Sequence, residues 1–285
     1  MRFRFILEHR NDWSVTAMCR ALQVSRSGFY RWNKTPISKT QQWLNSLRGE
    51  IIEVFEESRF TYGSPRVWQQ LLREGHQCSV NTVAKIMRAA GIQAKAVKKF
   101  KATTDSNHSY ATAKNVLDRE FNQTTGPNQK WVSDITYVST EEGWLYLAVV
   151  LDLYSRKVIG WSMSSRMTRE LVLDALQMAL NQRNTNGKIL HHSDRGSQYC
   201  SSDYRKLLKR YNITCSMSRR GNCWDNAVME SFFATIKKEL IHLETYQDRV
   251  TARRSVCEYI EAFYNRKRIH STLGYQTPCE YELIV

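Results

Sequence analysis

Residues 130–164, KWVSDITYVSTEEGWLYLAVVLDLYSRKVIGWSMS, contain three consecutive strand patterns and decide the fold. The first pattern alternates between two faces. One face holds Trp131, Ser133, Ile135 and Tyr137, and the other holds Val132, Asp134, Thr136 and Val138. The segment WLYLAVVLDLY is almost continuously apolar, as in a strand that is covered on both faces. With EEG and SRK as turns, the stretch predicts a three-stranded meander.

Downstream of the meander, helix and strand patterns alternate up to residue 241. TRELVLDALQMALNQRN, SDYRKLLKRYN and AVMESFFATIKKELI predict helices, whereas KILHHSD and ITCSMS predict short strands. The order β-β-β-α-β-α-β-α is typical of an α/β domain with a mixed five-stranded sheet and helices on both faces. This is the element order of the ribonuclease H fold.

Three carboxylates are expected to converge in this fold. Asp134 lies in the middle of the first strand, and Asp194 ends the fourth strand within HHSDRGSQY (191–199). These strands are neighbours in the ribonuclease H order, so the two side chains approach each other. The third carboxylate is Glu230 on the last helix, with 35 residues between it and Asp194. Lys237 follows two helical turns later on the same stripe.

Converging carboxylates repel one another unless a cation lies between them. Oxygen ligands select Mg²⁺ or Mn²⁺, and two such ions can activate a nucleophile and stabilise the leaving oxygen at a phosphodiester. We therefore expect Asp134, Asp194 and Glu230 to bind two ions and to be catalytic. Lys237 and its neighbour Lys238 are expected to contact DNA phosphates.

Residues 1–40 predict a helix-turn-helix segment. In SVTAMCRALQVSRSGFYRW (14–32), Ser25 is well placed to cap the second helix. The candidate DNA contacts on that helix are Arg26, Ser27, Tyr30 and Arg31. An ordinary helical hairpin produces the same pattern, and it is the charge of the chain that favours DNA.

Residues 41–95 predict a second helical module that resembles a helix-turn-helix. Its helices are QQWLNSLRGEIIEVFEES, YGSPRVWQQLLREG and CSVNTVAKIMRAAGI, and Ser79 or Asn81 can cap the last one. The outward residues expected to contact DNA are Asn81, Lys85 and Arg88. The pattern is not specific by itself.

Apolar periodicity fades over residues 96–128, which predict a basic linker. Lys98 and Lys99 are candidates for a track along DNA phosphates, and a merely solvated connector fits the same composition. We assign the catalytic core to 129–241. Residues 242–285 predict a basic helix followed by an extended tail.

The net charge of +15 is unevenly distributed. Residues 1–130 hold 21 of the 42 Lys and Arg but only 10 of the 27 Asp and Glu, which indicates a polyanionic partner, most simply nucleic acid. Neither a secretory signal nor an apolar run of roughly 20 residues is evident, so we expect a cytoplasmic protein. The seven cysteines are scattered, which argues against a zinc finger and favours reduced thiols.

Five further polar residues are expected to have roles outside metal binding, and for His191 and His192 the expectation is either a satisfied or a DNA-facing side chain. Asp152 is expected to stabilise a strand end. His191 and His192 are consecutive strand residues that point to opposite faces, so they cannot readily share one ion. Glu239 is expected on a solvated helix surface. Asp225 is expected to cap the last helix, with a DNA contact as the alternative.

The blocks WVSDITYV, HHSDRGSQY and NAVMESFFATIKKE resemble the three blocks of the DDE transposases and retroviral integrases. The chain is similar in particular to the second-frame (OrfB) subunit of the transposases of bacterial two-frame insertion sequences, the IS-three family. The similarity extends to MCRALQVSRSGFYRW, YGSPRVWQQL and YNRKRIHSTLGYQTP, so it covers nearly the whole chain.

This resemblance implies a ribonuclease H-like core, divalent metal, and Asp134, Asp194 and Glu230 as the catalytic triad with Lys237 as the basic residue two turns on. It implies action on terminal inverted repeats and target DNA, in a homo-oligomeric synaptic complex at the bacterial nucleoid. An upstream-frame DNA-binding subunit or fusion is a further implied partner, because this chain has no heptad-rich leader. The retroviral zinc module needs a His pair and a Cys pair that this chain lacks, so we expect no structural zinc.

Three functions are open at this point. The first is an active transposase that cleaves a strand at an element end and joins the free 3′-hydroxyl to another phosphodiester. The second is a catalytically inactive, sequence-specific DNA-binding regulator, and the third is a nuclease that does not join. Three carboxylates in register favour catalysis.

Overall fold

A computed structural model describes residues 1–35, 37–94, 112–219 and 222–284. The predicted contacts Lys98 and Lys99 lie outside these residues. The first helices are α1 (Arg2–Glu8), α2 (Val15–Ala21), α3 (Arg26–Lys34), α4 (Lys39–Glu57), α5 (Ser64–Arg73) and α6 (Val80–Ala89). None of the helices in the described ranges is long and apolar enough to cross a membrane.

Within the described residues, the sheet has five strands in the order β3-β2-β1-β4-β5. They are β1 (Lys130–Thr140), β2 (Gly143–Asp152), β3 (Val158–Ser164), β4 (Leu190–Ser193) and β5 (Thr214–Met217). The first three form an antiparallel meander, and β4 and β5 add in parallel on the other side of β1. The predicted mixed sheet of the ribonuclease H fold is confirmed.

Helices cover both faces of this sheet, as the almost continuously apolar segment WLYLAVVLDLY predicts. The later helices are α7 (Arg169–Gln182), α8 (Ser202–Arg210), α9 (Ala227–Ile236), α10 (Arg249–Glu258) and α11 (Pro278–Glu282). Trp131 packs with α7 and α8 on one face. Val132 and Val138 pack with α9 and α10 on the other.

Glycine is required where α7 crosses the sheet. A Cβ at Gly160 of β3 would lie 2.8 Å from the Ala179 nitrogen and closer still to the Ala175 carbonyl oxygen. Any larger residue would therefore push α7 away from the strand.

The amino-terminal unit has three helices, of which the sequence patterns predicted two. The turn before α3 is confirmed, and Ser25 Oγ accepts a hydrogen bond from the Gly28 nitrogen at 3.0 Å. The helix α1 was not predicted. It packs against α3 through the rings of Phe3 and Phe29, 6.2 Å apart, and this unit has a hydrophobic cluster of its own.

The helices α4 to α6 form the second predicted helical unit. Ser79 Oγ accepts from the Thr82 nitrogen at 3.2 Å, so Ser79 rather than Asn81 caps α6. Apolar residues of this unit, among them Ile51, Leu71 and Val83, belong to the same buried cluster as one face of the sheet. The unit is therefore packed continuously with the sheet domain.

The carboxyl-terminal region corrects the expectation of an extended tail. The predicted basic helix is α10, which continues as a π-helical turn over Tyr259–Tyr264. The tail then ends in α11, because Thr277 and Glu280 form a capping box with proline in the first turn. Glu282 fastens this helix to the sheet domain through Arg183 and Lys157, each with an N–O distance of 3.0 Å.

Candidate active site

The two aspartates of the predicted triad lie on adjacent parallel strands. The last pair of the β1–β4 ladder is Ser133 with Ser193, so Asp134 and Asp194 are the next residue on each strand. Neighbouring strands are about 4.8 Å apart. β1 continues to Thr140 beyond the end of this ladder, and the two aspartates therefore lie at the edge where β4 stops.

Backbone amides orient both carboxylates. Asp134 Oδ1 accepts from the Ile135 nitrogen and Asp194 Oδ1 accepts from the Gly196 nitrogen, each at 2.8 Å. A Cβ at Gly196 would lie 3.0 Å from Asp194 Oδ1. Glycine at this position therefore leaves the carboxylate its space.

Glu230 approaches the aspartates because the start of α9 is tied to β1. Asn226, immediately before α9, donates from Nδ2 to the Ser133 carbonyl oxygen at 3.3 Å. Glu230 follows one turn later and its side chain is exposed. The sequence predicted Glu230 but missed Asn226, whose position inside the NAVMESFFATIKKE block is the signal that could have identified it.

Asp225 does not cap α9, and this prediction was wrong. Its carboxylate is fully buried. It accepts hydrogen bonds from Arg219 at 2.8 and 2.9 Å, from Arg119 at 2.9 Å and from Asn115 at 3.0 Å. Hydrogen bonds from Arg219 hold the pKa of Asp225 well below its usual range. The residue is an ionic anchor for the loop before α9, and its arginines come from distant or irregular segments that no local pattern connects to it.

The carboxylates of the site oppose one another electrostatically. Burial raises the pKa of Asp134 well above its ordinary value, and the neighbouring charge of Asp194 and then that of Glu230 raise it further. Desolvation also raises the pKa of Glu230. Such a strained set of acidic groups is the arrangement that a bound cation relieves.

Lys237 is the predicted basic residue of this site, and the structure brings it to the aspartates. Burial lowers the pKa of its ammonium group, and the charge of Asp134 opposes this effect. Its Nζ lies 4.7 Å from the centre of the Tyr137 ring. The helix widens here into a π turn, Lys237–Ile241. Lys238, the other predicted phosphate contact, is exposed.

The donor set fits a hard divalent cation, because Asp134, Asp194 and Glu230 offer only oxygen atoms. The mutual repulsion at Asp134 supports the same fit. Across the described ranges, no three His, Cys, Asp or Glu side chains are close enough to form a complete metal cage. Glu230 is the exposed member of the set.

The two histidines are buried core residues, and His191 Nδ1 has no hydrogen-bond partner among the described residues. His191 lies between the Ser133 hydroxyl at 2.8 Å and the Tyr204 hydroxyl at 3.0 Å. His192 contacts the hydroxyls of Ser216 and Ser218 on the other side. Burial lowers the pKa of His191 to about 3 and that of His192 to about 4. Both are therefore neutral and part of the support beneath the aspartates.

Asp152 has the structural role that the sequence predicted. It accepts from the backbone nitrogens of Asn128 at 2.7 Å and Tyr154 at 2.9 Å. These bonds fix the turns at the far end of β1 and β2.

Glu239 does not lie on a solvated surface, and this prediction was wrong. It is buried and holds Arg268 through two hydrogen bonds of 2.6 and 2.7 Å, while the Tyr259 hydroxyl donates to it at 2.8 Å. Its second basic neighbour is Arg66 of α5 at 3.5 Å. The carboxylate thus connects the turn after Lys237 to the carboxyl-terminal segment and to the second helical unit.

The predicted DNA contacts of the helical units are all exposed. On α3 these residues are Arg26, Ser27, Tyr30 and Arg31, and on α6 they are Asn81, Lys85 and Arg88. Each set occupies one helix, away from Asp134, Asp194 and Glu230 in sequence. Exposure is the geometric condition for contact with DNA, and these residues meet it.

Comparison with known protein families identifies one matching segment in the amino-terminal half of the chain and two in the carboxyl-terminal half. Residues 43–100 match the model of an HTH-like domain. Residues 124–223 and 211–278 match two models of an integrase core domain.

Relatives match over nearly the whole chain. The transposase InsF for insertion sequence IS3A of Escherichia coli is 47% identical over 99% of this chain and 98% of its own. An uncharacterized 31 kDa protein of insertion element IS600 from Shigella sonnei is 42% identical over 93% of this chain and 97% of its own. A solved HTLV-2 integrase catalytic core domain in complex with magnesium covers 55% of this chain and 98% of its own, with 17% identity and a TM-score of 0.43. The chain belongs to the transposases of the IS3 family of insertion sequences.

Proposed function

We propose that Asp134, Asp194 and Glu230 form the catalytic triad of this transposase and hold two divalent ions, Mg²⁺ or Mn²⁺. The observation that carries the proposal is the β1–β4 register, which puts two aspartates side by side where β4 ends. The tie between Asn226 and β1 brings the third carboxylate to the same edge.

The reaction is strand cleavage followed by strand transfer. In the first step a water oxygen attacks phosphorus at the element end, and the 3′-oxygen leaves as a hydroxyl. In the second step that hydroxyl attacks another phosphodiester, whose own 3′-oxygen leaves. Bound divalent ions would activate the attacking oxygen and stabilise the charge on the leaving oxygen. In each step, one P–O bond forms to the attacking oxygen while the bond from phosphorus to the leaving 3′-oxygen breaks. No covalent protein intermediate is therefore needed.

The protein groups of the site orient the reacting phosphate. Asp134 and Asp194 are fixed by backbone amides, so their oxygens are held before substrate arrives. Lys237 lies beside Asp134 and adds positive charge where the phosphate is to bind. The neutral His191 and His192 keep the floor of the site rigid.

We propose that DNA recognition is divided between the helical units. The exposed residues of α3 and α6 read the terminal inverted repeats, and the basic segment containing Lys98 and Lys99 follows the backbone between 41–95 and the core at 129–241. Catalysis on two ends requires a homo-oligomeric synaptic complex. An upstream-frame subunit supplies part of the end recognition.

The test is cleavage of a labelled duplex taken from the DNA that flanks the gene. The purified protein is incubated with Mg²⁺, beside an EDTA control and two matched variants. Asp194→Asn removes one proposed ligand, and Asp174→Asn changes an exposed aspartate on α7. We expect nicked and joined products from the wild type and from Asp174→Asn only.

Binding without cleavage would favour a DNA-binding regulator, and cleavage without joined product would favour a plain nuclease. The first of these outcomes is resolved by repeating the assay with the upstream frame fused to the chain. Unchanged activity of Asp194→Asn would contradict the proposed triad.

A further inference from the structure

A basic cavity lies beside the proposed active site. It has a volume of about 280 Å³ and is open to solvent. We call it the arginine cavity, because Arg66, Arg156 and Arg268 line it together with the hydroxyl residues Ser231 and Thr235 of α9. The three arginines come from α5, from the turn between β2 and β3, and from the segment after the π turn of α10.

The positive charge of this cavity is only partly balanced. Glu239 binds Arg268 at 2.6 Å and contacts Arg66 at 3.5 Å. No carboxylate of the described ranges lies within ion-pair distance of Arg156, and its guanidinium donates to the neutral Asn122 side chain at 3.0 Å. Glu239 is therefore shared by two of the three guanidinium groups, and the third, Arg156, has the charge of Asp152 acting on it without a direct ion pair within the described ranges.

The three arginines also act electrostatically on His270, which lines the same cavity. Burial, followed by the charges of Arg268, Arg66 and Arg156, lowers its pKa to about 2. Arg268 Nη1 lies 3.3 Å from His270 Nε2, so the neutral ring accepts a hydrogen bond here. A cavity lined by three arginines and a neutral histidine favours the binding of an anion and disfavours the binding of a cation.

The arginine cavity is close to the catalytic carboxylates. Ser231 directly follows Glu230 on α9, and Leu151 in the cavity wall pairs with Val132 of β1. Val132 precedes Asp134 by two residues, or about 7 Å along the strand. Each DNA strand carries a phosphate every 3.4 Å or so of helix axis. A duplex with one phosphodiester at the carboxylates thus has others within reach of the cavity.

We propose that the arginine cavity binds one uncleaved backbone phosphate of the DNA, and so sets the register of the strand at the active site. Arg66 and Arg156 supply the forked donors, because Arg268 is held by two short hydrogen bonds to Glu239, whereas the contact of Arg66 with Glu239 is longer, at 3.5 Å. The inference rests on the proposed function, since only a chain that acts on DNA ends needs this register.

The experiment is a scan of single phosphates in the terminal duplex. Each phosphate is replaced in turn by a neutral methylphosphonate, and Kd is measured by fluorescence anisotropy. All proteins carry Asp194→Asn, so binding is separated from cleavage. In the Asp194→Asn protein, we expect one uncleaved phosphate at which neutralisation weakens binding. Neutralisation of that same phosphate should have no effect when Arg156→Gln or Arg66→Gln is also present. Either arginine change should itself weaken binding about tenfold, as for the loss of one charged hydrogen bond.

Two controls accompany the scan. Arg205→Gln removes the same charge from the exposed surface of α8 and should leave the sensitive position unchanged. Arg156→Lys keeps the charge without the fork and should recover part of the sensitivity, provided that thermal melting shows the variants folded. The proposal would be overturned if the arginine variants bound DNA as tightly as the Asp194→Asn protein alone. It would also be overturned if they kept the same sensitivity to methylphosphonate at every position. Failure of the proposed function has a different signature, namely bound but uncut DNA when Asp194 is restored.

Discussion

Asp225 and Asp134 are two aspartates near the start of α9 with opposite surroundings. Asp225 is buried among guanidinium groups, and Arg219 holds its pKa well below the ordinary range. Burial and the charge of Asp194 raise the pKa of Asp134 well above that range. The first carboxylate has all the partners its charge requires, whereas the second faces charges of its own sign. The difference separates a carboxylate that stabilises the fold from one that we propose binds a cation.

The largest effect is expected from Asp134→Asn. We expect DNA cleavage to fall by roughly 10³-fold or more, because charge stabilisation by a bound ion is worth several kcal/mol. The free energy of unfolding should stay the same or rise, since the change removes repulsion with Asp194. Cleavage kinetics and urea denaturation measure the two effects. If Asp134→Asn retained cleavage, or if it lost much stability, Asp134 would not differ from Asp225 in the way we describe.

A second buried carboxylate, Glu239, sharpens the comparison. Glu239→Gln leaves Arg268 as a buried, uncompensated charge, since that residue is only 3% exposed. We expect the free energy of unfolding to fall by about 3–5 kcal/mol. The matched control is Glu244→Gln, which removes an exposed partner 3.8 Å from Arg59 and should cost less than about 1 kcal/mol. Equal effects in urea denaturation would show that burial of the pair is irrelevant.

Asp225→Asn is expected to have a smaller effect on stability. Its arginine partners are about half exposed, so water can solvate them when the carboxylate is neutralised. We expect a loss of about 1–3 kcal/mol in chemical denaturation. Asp118→Asn is the control, because Asp118 is an exposed partner of the same Arg219 and should cost less than about 1 kcal/mol. If the control cost as much, the buried anchor would not be the source of the stability.

The smallest effect is a pH dependence that Asp225 confers. Its pKa is lower in the folded chain than in the unfolded one, where it is about 3.9. The stabilisation is therefore complete above about pH 5 and is lost progressively as the pH falls towards the folded-state pKa. Denaturation at a series of pH values between about 6 and 3 should show a steeper loss for the wild type than for Asp225→Asn. Parallel curves would argue against the anchor.

The proximity of Asp134 and Asp194 could be predicted from the sequence because both positions depend on regular structure. Asp134 follows from strict alternation in β1, and Asp194 from the end of a short strand that the fold places next to it. Sequence spacing and helical periodicity then identified Glu230 and Lys237. These positions need no knowledge of side-chain contacts between distant segments.

The errors at Asp225 and Glu239 have a common physical cause. Each precedes or lies within a helix, where local patterns favour a cap or a solvated surface. Their partners Arg119 and Arg268 are 106 and 29 residues away. Long-range ion pairs leave no local signal, and tertiary burial overrides the local preference. The arginine cavity was missed for the same reason, since its three arginines meet only in the folded chain.

The most direct test of the central claim is anomalous diffraction from crystals of the protein soaked in Mn²⁺. The claim is that Asp134, Asp194 and Glu230 bind cations together, whereas the buried carboxylates Asp225 and Glu239 do not. We expect anomalous density between Asp134 and Asp194, which disappears in Asp194→Asn crystals, and none at Asp225 or Glu239. Density at the arginine-bound carboxylates or at the histidines, with none between the two aspartates, would contradict the account.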